Sequence, residues 1–246
     1  MAFAATITVD DTGLKANWTG DDVCTFNATK CDMVPAGYKA LVGLDFNQYG
    51  LGEGLQLTGF LDALTDLQFF HANGNDFEGM IPDLSNLQNI SEIDLSVNGL
   101  SGPFPTEVLD LPLIFLDIRF NEFEGELPAK AFATPTLQAL YINNNKFTGP
   151  LPEAVATDIF SFSMSANQFT GPIPESLANW ADLEEAYMQE NQLTGIIPES
   201  LCGLTNMSYI NVAFNPDMKG TLGPICTSLL KNDGLNITGT GLKAAS

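Results

Sequence analysis

The sequence predicts an α/β repeat solenoid: right-handed coils that stack a concave parallel β-sheet, with short 3-10 or irregular segments on the convex side. Three observations predict it. An Asn recurs in one context at Asn75, Asn98, Asn121, Asn145, Asn167, Asn191 and Asn215, at steps of 22 to 24 residues. Around each runs the same apolar pattern, as in LQFFHANGNDFEG, LQALYINNNKFTG and LEEAYMQENQLTG. A Gly-x-x-Pro run follows, as GMIP, GPFP, GELP, GPLP, GPIP and GIIP. An eighth, degenerate copy starts at Leu41, with Leu44, Phe46 and Leu51 in place and Tyr49 where the Asn would sit.

Each part of the repeat has a physical task. Alternating apolar residues such as Leu116 and Ile118 make a short strand whose inward side chains stack on those of neighbouring coils, while the residues between them face outward. One coil alone cannot bury its apolar side, so only the stack is stable. The Asn turns the chain inward, and its amide can satisfy backbone groups that a buried turn would leave unpaired; a column of such Asn residues is expected to hydrogen-bond as a ladder. The Gly and Pro supply a turn and a restricted extended exit, which is structural work.

Composition bounds the partners. With 45% hydrophobic residues, 22 Gly and 14 Pro, the chain can bury a large core while making many tight turns. Nine Lys plus Arg against 30 Asp plus Glu leave a net charge of −21, which disfavours nucleic acid and other polyanions and favours a cationic or neutral partner. No stretch approaches the ~18 apolar residues of a membrane span. Asn-x-Ser/Thr acceptors at Asn17, Asn27, Asn89, Asn206 and Asn236, together with an even set of four cysteines, point to a secretory route and an extracellular location, secreted or in a cell wall.

The repeat matches the leucine-rich repeat, and the LTGxIP-like ending resembles the plant type, which includes polygalacturonase-inhibiting proteins and receptor-kinase ectodomains. The segment GPFPTEVLDLPLIFLDIRFNEFEGELP, residues 102–128, resembles the repeat domain of leucine-rich-repeat extensins. Trp18-x-Gly20-x-x-Val23-Cys24 followed by Cys31 resembles the plant-type N-terminal cap, and the resemblance implies a small Cys24–Cys31 disulfide loop. Cys202 and Cys226 lie about one repeat apart, which would bring them within bridging distance on adjacent coils. A metal-binding reading of the cysteines lacks a companion His. The expected organisation is an N-terminal cap at residues 1–40, about eight coils at 41–225 and a C-terminal cap at 226–246. The resemblance implies a signalling or cell-wall role, because extensins of this kind bind small, basic, cysteine-rich rapid alkalinization factor peptides and the inhibitor relatives bind pectin-degrading enzymes.

Strand periodicity places one outward residue per coil in a central column: Asp45, His71, Asp94, Asp117, Tyr141, Ser163, Tyr187 and Asn211. Flanking columns include Phe69, Glu92 and Phe115 on one side and Arg119 on the other. The candidate ligand-binding set is His71, Glu92, Asp94, Phe115, Asp117, Arg119 and Tyr141, a cluster of three carboxylates, one Arg and aromatic rings suited to a basic peptide or extracellular protein. The plainer reading is also open: an Asp at this place is common in plant-type repeats, so Asp94 and Asp117 also read as framework, and the Phe residues as packing.

Catalysis finds little support. Asp94 and Asp117 on adjacent coils could resemble the carboxylate pair of a retaining glycosidase, but a flat sheet offers no evident way to desolvate one of them. His71 is the lone histidine, and all four cysteines read as structural, so no nucleophilic triad can be assembled. No cofactor motif or metal-ligand spacing is present. The expectation is a non-catalytic recognition protein. The alternatives are an inhibitor of a cell-wall-degrading enzyme, or a protein that binds or hydrolyses carbohydrate, with cell-wall polysaccharide as a further partner. Ice binding would want a regular Thr array, which these columns do not supply.

Overall fold

The computed structural model describes residues 2–10, 12–52, 54–155 and 157–245, and the chain divides into two compact units, Met1–Glu122 and Phe123–Ser246. Each is built from stacked coils of the leucine-rich-repeat type.

In the first unit the strand Thr29–Met33 pairs antiparallel with Lys39–Asp45, from which parallel strands continue as Phe69–His71, Glu92–Asp94 and Phe115–Asp117. The register aligns Leu44, Phe70, Ile93 and Leu116, all essentially inaccessible, on the inner row. It aligns Asp45, His71, Asp94 and Asp117 on the central outer column expected from the sequence. The short 3-10 turns Leu61–Ala63 and Thr106–Asp110 pack their buried leucines against the same core. Fully burying each such side chain contributes roughly 1.5–3 kcal/mol.

The recurrent Asn does form a ladder, but through backbone rather than from Asn to Asn. Asn98 Nδ2 donates to Leu95 O in its own coil (3.1 Å) and to Ala72 O in the preceding one (2.9 Å), while its Oδ1 accepts from Phe77 N (3.0 Å). Asn121 repeats the pattern with Ile118 O, Leu95 O and Leu100 N. The residue just before the Asn turns into the left-handed region, with φ +55° at Val97 and +53° at Phe120, where Gly74 has +68°. Left-handed backbone is disfavoured for side chains bearing a Cβ, so the turn is held by the bonds around it.

The second unit repeats the scheme with Ala139–Tyr141, Ser161–Ser163, Glu185–Tyr187, Tyr209–Asn211 and Leu235–Asn236 in parallel. Asn145, Asn167, Asn191 and Asn215 make the corresponding backbone bonds. Its core carries a file of stacked rings, Phe123 to Phe147 at 6.3 Å and Phe147 to Phe169 at 6.2 Å, with Trp180 wedged edge-on against Phe132 at 4.8 Å.

The segments that lead from each Asn into the Gly-x-x-Pro exit pair into additional parallel strands, which the sequence reading did not assign. Glu78–Gly79 pairs with Gly99–Gly102 in the first unit, and in the second Lys146–Pro150 pairs with Gln168–Pro172, which pairs in turn with Gln192–Thr194. Gly149 shows why this exit needs glycine: its φ is +78°, and a Cβ there would lie 2.6 Å from Glu126 Cγ.

Both expected disulfides are present. Cys24–Cys31 (Cα–Cα 5.5 Å) closes the loop around the 3-10 turn Val23–Thr25, and Cys202–Cys226 (5.2 Å) ties Glu199–Cys202 to the helix Pro224–Lys231. That helix opens with Pro, and the Glu199 carboxylate accepts from the N–H groups of Ile225 (2.8 Å) and Cys226 (3.1 Å), satisfying two of its free donors. No helix among the described residues is long and apolar enough to cross a membrane. Of the five glycosylation acceptors, Asn17, Asn27, Asn89 and Asn206 are exposed and Asn236 is half-buried.

Candidate functional site

In the first unit, His71, Glu92, Asp94, Phe115, Asp117 and Arg119 stand on one face of three consecutive parallel strands or just beyond their ends. The register that puts His71 opposite Asp94 also lets His71 reach sideways, so that its Nε2 lies 3.0 Å from Glu92 Oε2. Glu92 keeps 41% of its side chain exposed and is therefore open to a partner. The His71 ring packs 5.0 Å from that of Phe69, which lies over Gly43 so closely that a Cβ there would meet it at 2.1 Å. The Phe69 ring is thus packed over Gly43, and Phe69 and Phe115 are both half-buried.

The two aspartates have divided roles. Asp94 Oδ1 accepts from both the backbone N–H (3.0 Å) and the hydroxyl (2.6 Å) of Ser96, closing a small turn at the strand end. Asp45, Asp117 and Asn211 make the same backbone bond to the residue two positions on, so this is a framework device of the repeat. Asp94 nevertheless remains half-exposed.

Asp117 differs from the outward-facing residue expected from periodicity: its side chain is 1% exposed. Arg119 encloses it, donating its backbone N–H to Oδ1 (3.1 Å) and bringing Nε to 3.0 Å from Oδ2. Burial pushes the Asp117 carboxyl up to about 7, against the lowering influence of the Arg119 amide and guanidinium and with a further upward push from Asp94. The sheet can therefore desolvate one carboxyl of the pair, contrary to the sequence expectation. Because both Asp117 oxygens face Arg119, that carboxyl is not presented to a substrate. Exposed charge on this face includes Asp45, Glu92 and Asp94 and, opposite in sign, the Arg119 side chain, 42% exposed.

Tyr141 belongs to the second unit. Its hydroxyl donates to Ser161 Oγ (2.9 Å), and the register places Tyr141, Ser163 and Tyr187 in one row over a strand whose outward residues Ser161, Ser163 and Ser165 are all small and buried. Tyr187 and Tyr209 approach to 5.7 Å between ring centroids. Burial raises the Tyr187 hydroxyl above its ordinary range, with Glu185 adding to the effect. Sequence reasoning put Tyr187 and Tyr209 in the outward columns but left them out of the site; their aromatic clustering was the available signal. Among the described residues no group of three or more His, Cys, Asp or Glu side chains could hold a metal ion.

Comparisons with known proteins agree with the repeat fold. The Leucine Rich Repeat family profile matches residues 136–157 and 182–204. Receptor-like protein 36 of Arabidopsis thaliana is 34% identical over 99 residues, covering 39% of this chain and 14% of that protein. Leucine-rich repeat extensin-like protein 2, also of Arabidopsis thaliana, is 31% identical over 147 residues, covering 58% of this chain and 18% of that protein. The chain thus corresponds to less than a fifth of either relative. Among solved structures, the leucine-rich-repeat ectodomain of the Arabidopsis receptor kinase HAESA, in complex with an N-terminally extended IDA peptide hormone ligand, superposes with a TM-score of 0.79. At 22% identity, over 98% of this chain and 40% of that one, this is a likeness of fold. The chain contains leucine-rich repeats and is similar to the receptor-like and extensin-like proteins of plants.

Proposed function

We propose that the protein is an extracellular, non-catalytic recognition module whose outer strand face binds a basic peptide or a basic patch of another protein. The observation that carries this reading is the row formed by Glu92, steadied by His71 at 3.0 Å, and Asp94 on the same strand, with the Phe115 ring on the next strand. Two partly exposed carboxylates beside the Phe115 ring offer a cation both a charge partner and a contact area. The net charge of −21 steers such a partner inward. The fold neighbour HAESA was solved with a peptide hormone ligand. Two disulfides and exposed glycosylation acceptors suit a secreted protein.

Calorimetric titration with a panel of basic, cysteine-rich peptides tests this reading, with two controls run in parallel: inhibition of a polygalacturonase and retention on cell-wall polysaccharides. Saturable, salt-sensitive peptide binding is expected. Enzyme inhibition or polysaccharide retention without any peptide binding would replace this reading with one of its alternatives.

A further inference from the structure

Beside the N-terminal disulfide loop, the first unit holds a cavity of about 380 Å³, within the size range of small-molecule sites. Its walls are apolar and ring-rich, among them Trp18, Phe26, Phe60 and Leu64. These walls are fixed. The Trp18 ring stacks on Phe26 at 5.6 Å and meets Phe46 at 5.6 Å, and Phe60 stacks on Phe46 at 6.2 Å. The Trp18 indole N–H donates to Asn27 O (2.9 Å), so it is already engaged. Asp22 caps the Val23–Thr25 turn through Cys24 N (3.0 Å), and the Cys24–Cys31 bridge braces the same loop. At Gly20 and Gly59 a Cβ would meet nothing within 4 Å, so the side they line is open.

Among the described residues of the lining, Asp21 is the one with an ionisable side chain, and it is exposed. A ligand for this site must therefore fill an aromatic-walled space and bring either no charge or a positive one, since an anion would meet Asp21 and a chain of net charge −21. We propose that the cavity binds a cationic amphiphile, an apolar ring system carrying one protonated amine that reaches Asp21. Such a site is independent of the outer strand face and takes a different class of ligand.

Trp18 in the wall makes the test direct. Monodansylcadaverine, a dansyl ring with a primary amine, is titrated into the full chain while energy transfer from tryptophan is followed, alongside its N-acetylated form and dansylglycine. Saturable transfer is expected, with the amine bound about fivefold more tightly than its neutral form, as a single exposed charge partner allows. Dansylglycine should bind most weakly. Asp21→Asn should erase the preference for the amine, and Ala63→Phe, an exposed lining position, should block binding while leaving the melting temperature unchanged. The proposal is overturned by an absence of saturable transfer, by dansylglycine binding as tightly as the amine, or by binding that survives Ala63→Phe in a folded variant.

Discussion

Arg119 encloses Asp117 twice over, donating its own backbone N–H to one carboxylate oxygen at 3.1 Å and holding its guanidinium Nε 3.0 Å from the other. Burial still pushes this carboxyl up to about 7, so desolvation outweighs the cation beside it.

That balance predicts a pH-dependent stability. The folded value of about 7 lies above the ordinary 3.8, so between these two the native state holds a proton that the unfolded state has lost. Stability from this group therefore falls as pH rises from about 4 to 7, by at most roughly 4 kcal/mol, and stays low above that. Asp117→Asn removes the titrating proton. Melting curves should show the variant gaining on the parent between pH 4.5 and pH 8, and a difference that does not change with pH would refute the assignment.

Val97 sits at φ +55°, where the equivalent coil position holds Gly74 at +68°. Its side chain is 46% exposed and its backbone N–H donates to Arg119 O, a bond that a glycine would keep. Val97→Gly should raise stability by about 0.5–1 kcal/mol, because relief of left-handed strain exceeds the entropy lost by glycine on folding. A lowered denaturation midpoint would count against the turn being strained.

Asn121→Ala takes away donors to Leu95 O and Ile118 O and the acceptor of Leu100 N, all buried. Each orphaned group costs about 1–3 kcal/mol, so chemical denaturation should show a loss of at least 2 kcal/mol. A loss below 0.5 kcal/mol, on the order of an ordinary surface substitution, would mean that water replaces the amide without penalty.

The sequence revealed what is periodic or covalent. Inner-row residues such as Leu116, the Asn ladder positions and the spacing of Cys202 and Cys226 follow from local pattern, and the structure places them as that pattern requires. The short strands that lead into the Gly-x-x-Pro runs were hidden because those runs signal turns, while the pairing that makes the strands is between coils. Left-handed turns at Val97 and Phe120 were hidden because neither residue type announces that conformation. In the site, alternation assigned the faces of His71 and Glu92 and so brought them together. It could not show that the Arg119 side chain folds back over Asp117, since two positions in the outward columns can still bury one another. The cavity joins Trp18, Phe26 and Phe60 across 42 residues of chain, a convergence that no local pattern encodes.

The central claim is that Glu92 and Asp94 recognise a basic peptide, and the double variant Glu92→Gln/Asp94→Asn tests it most directly. Both replacements keep side-chain length, and Asn can still accept from Ser96. Calorimetry with a basic, cysteine-rich peptide that binds the parent chain, run at low and high salt, is expected to show affinity reduced about tenfold or more at low salt and a flatter salt dependence in the variant. Unchanged affinity at low salt, in a variant with the parent's melting temperature, would contradict the claim and locate recognition elsewhere on the molecule.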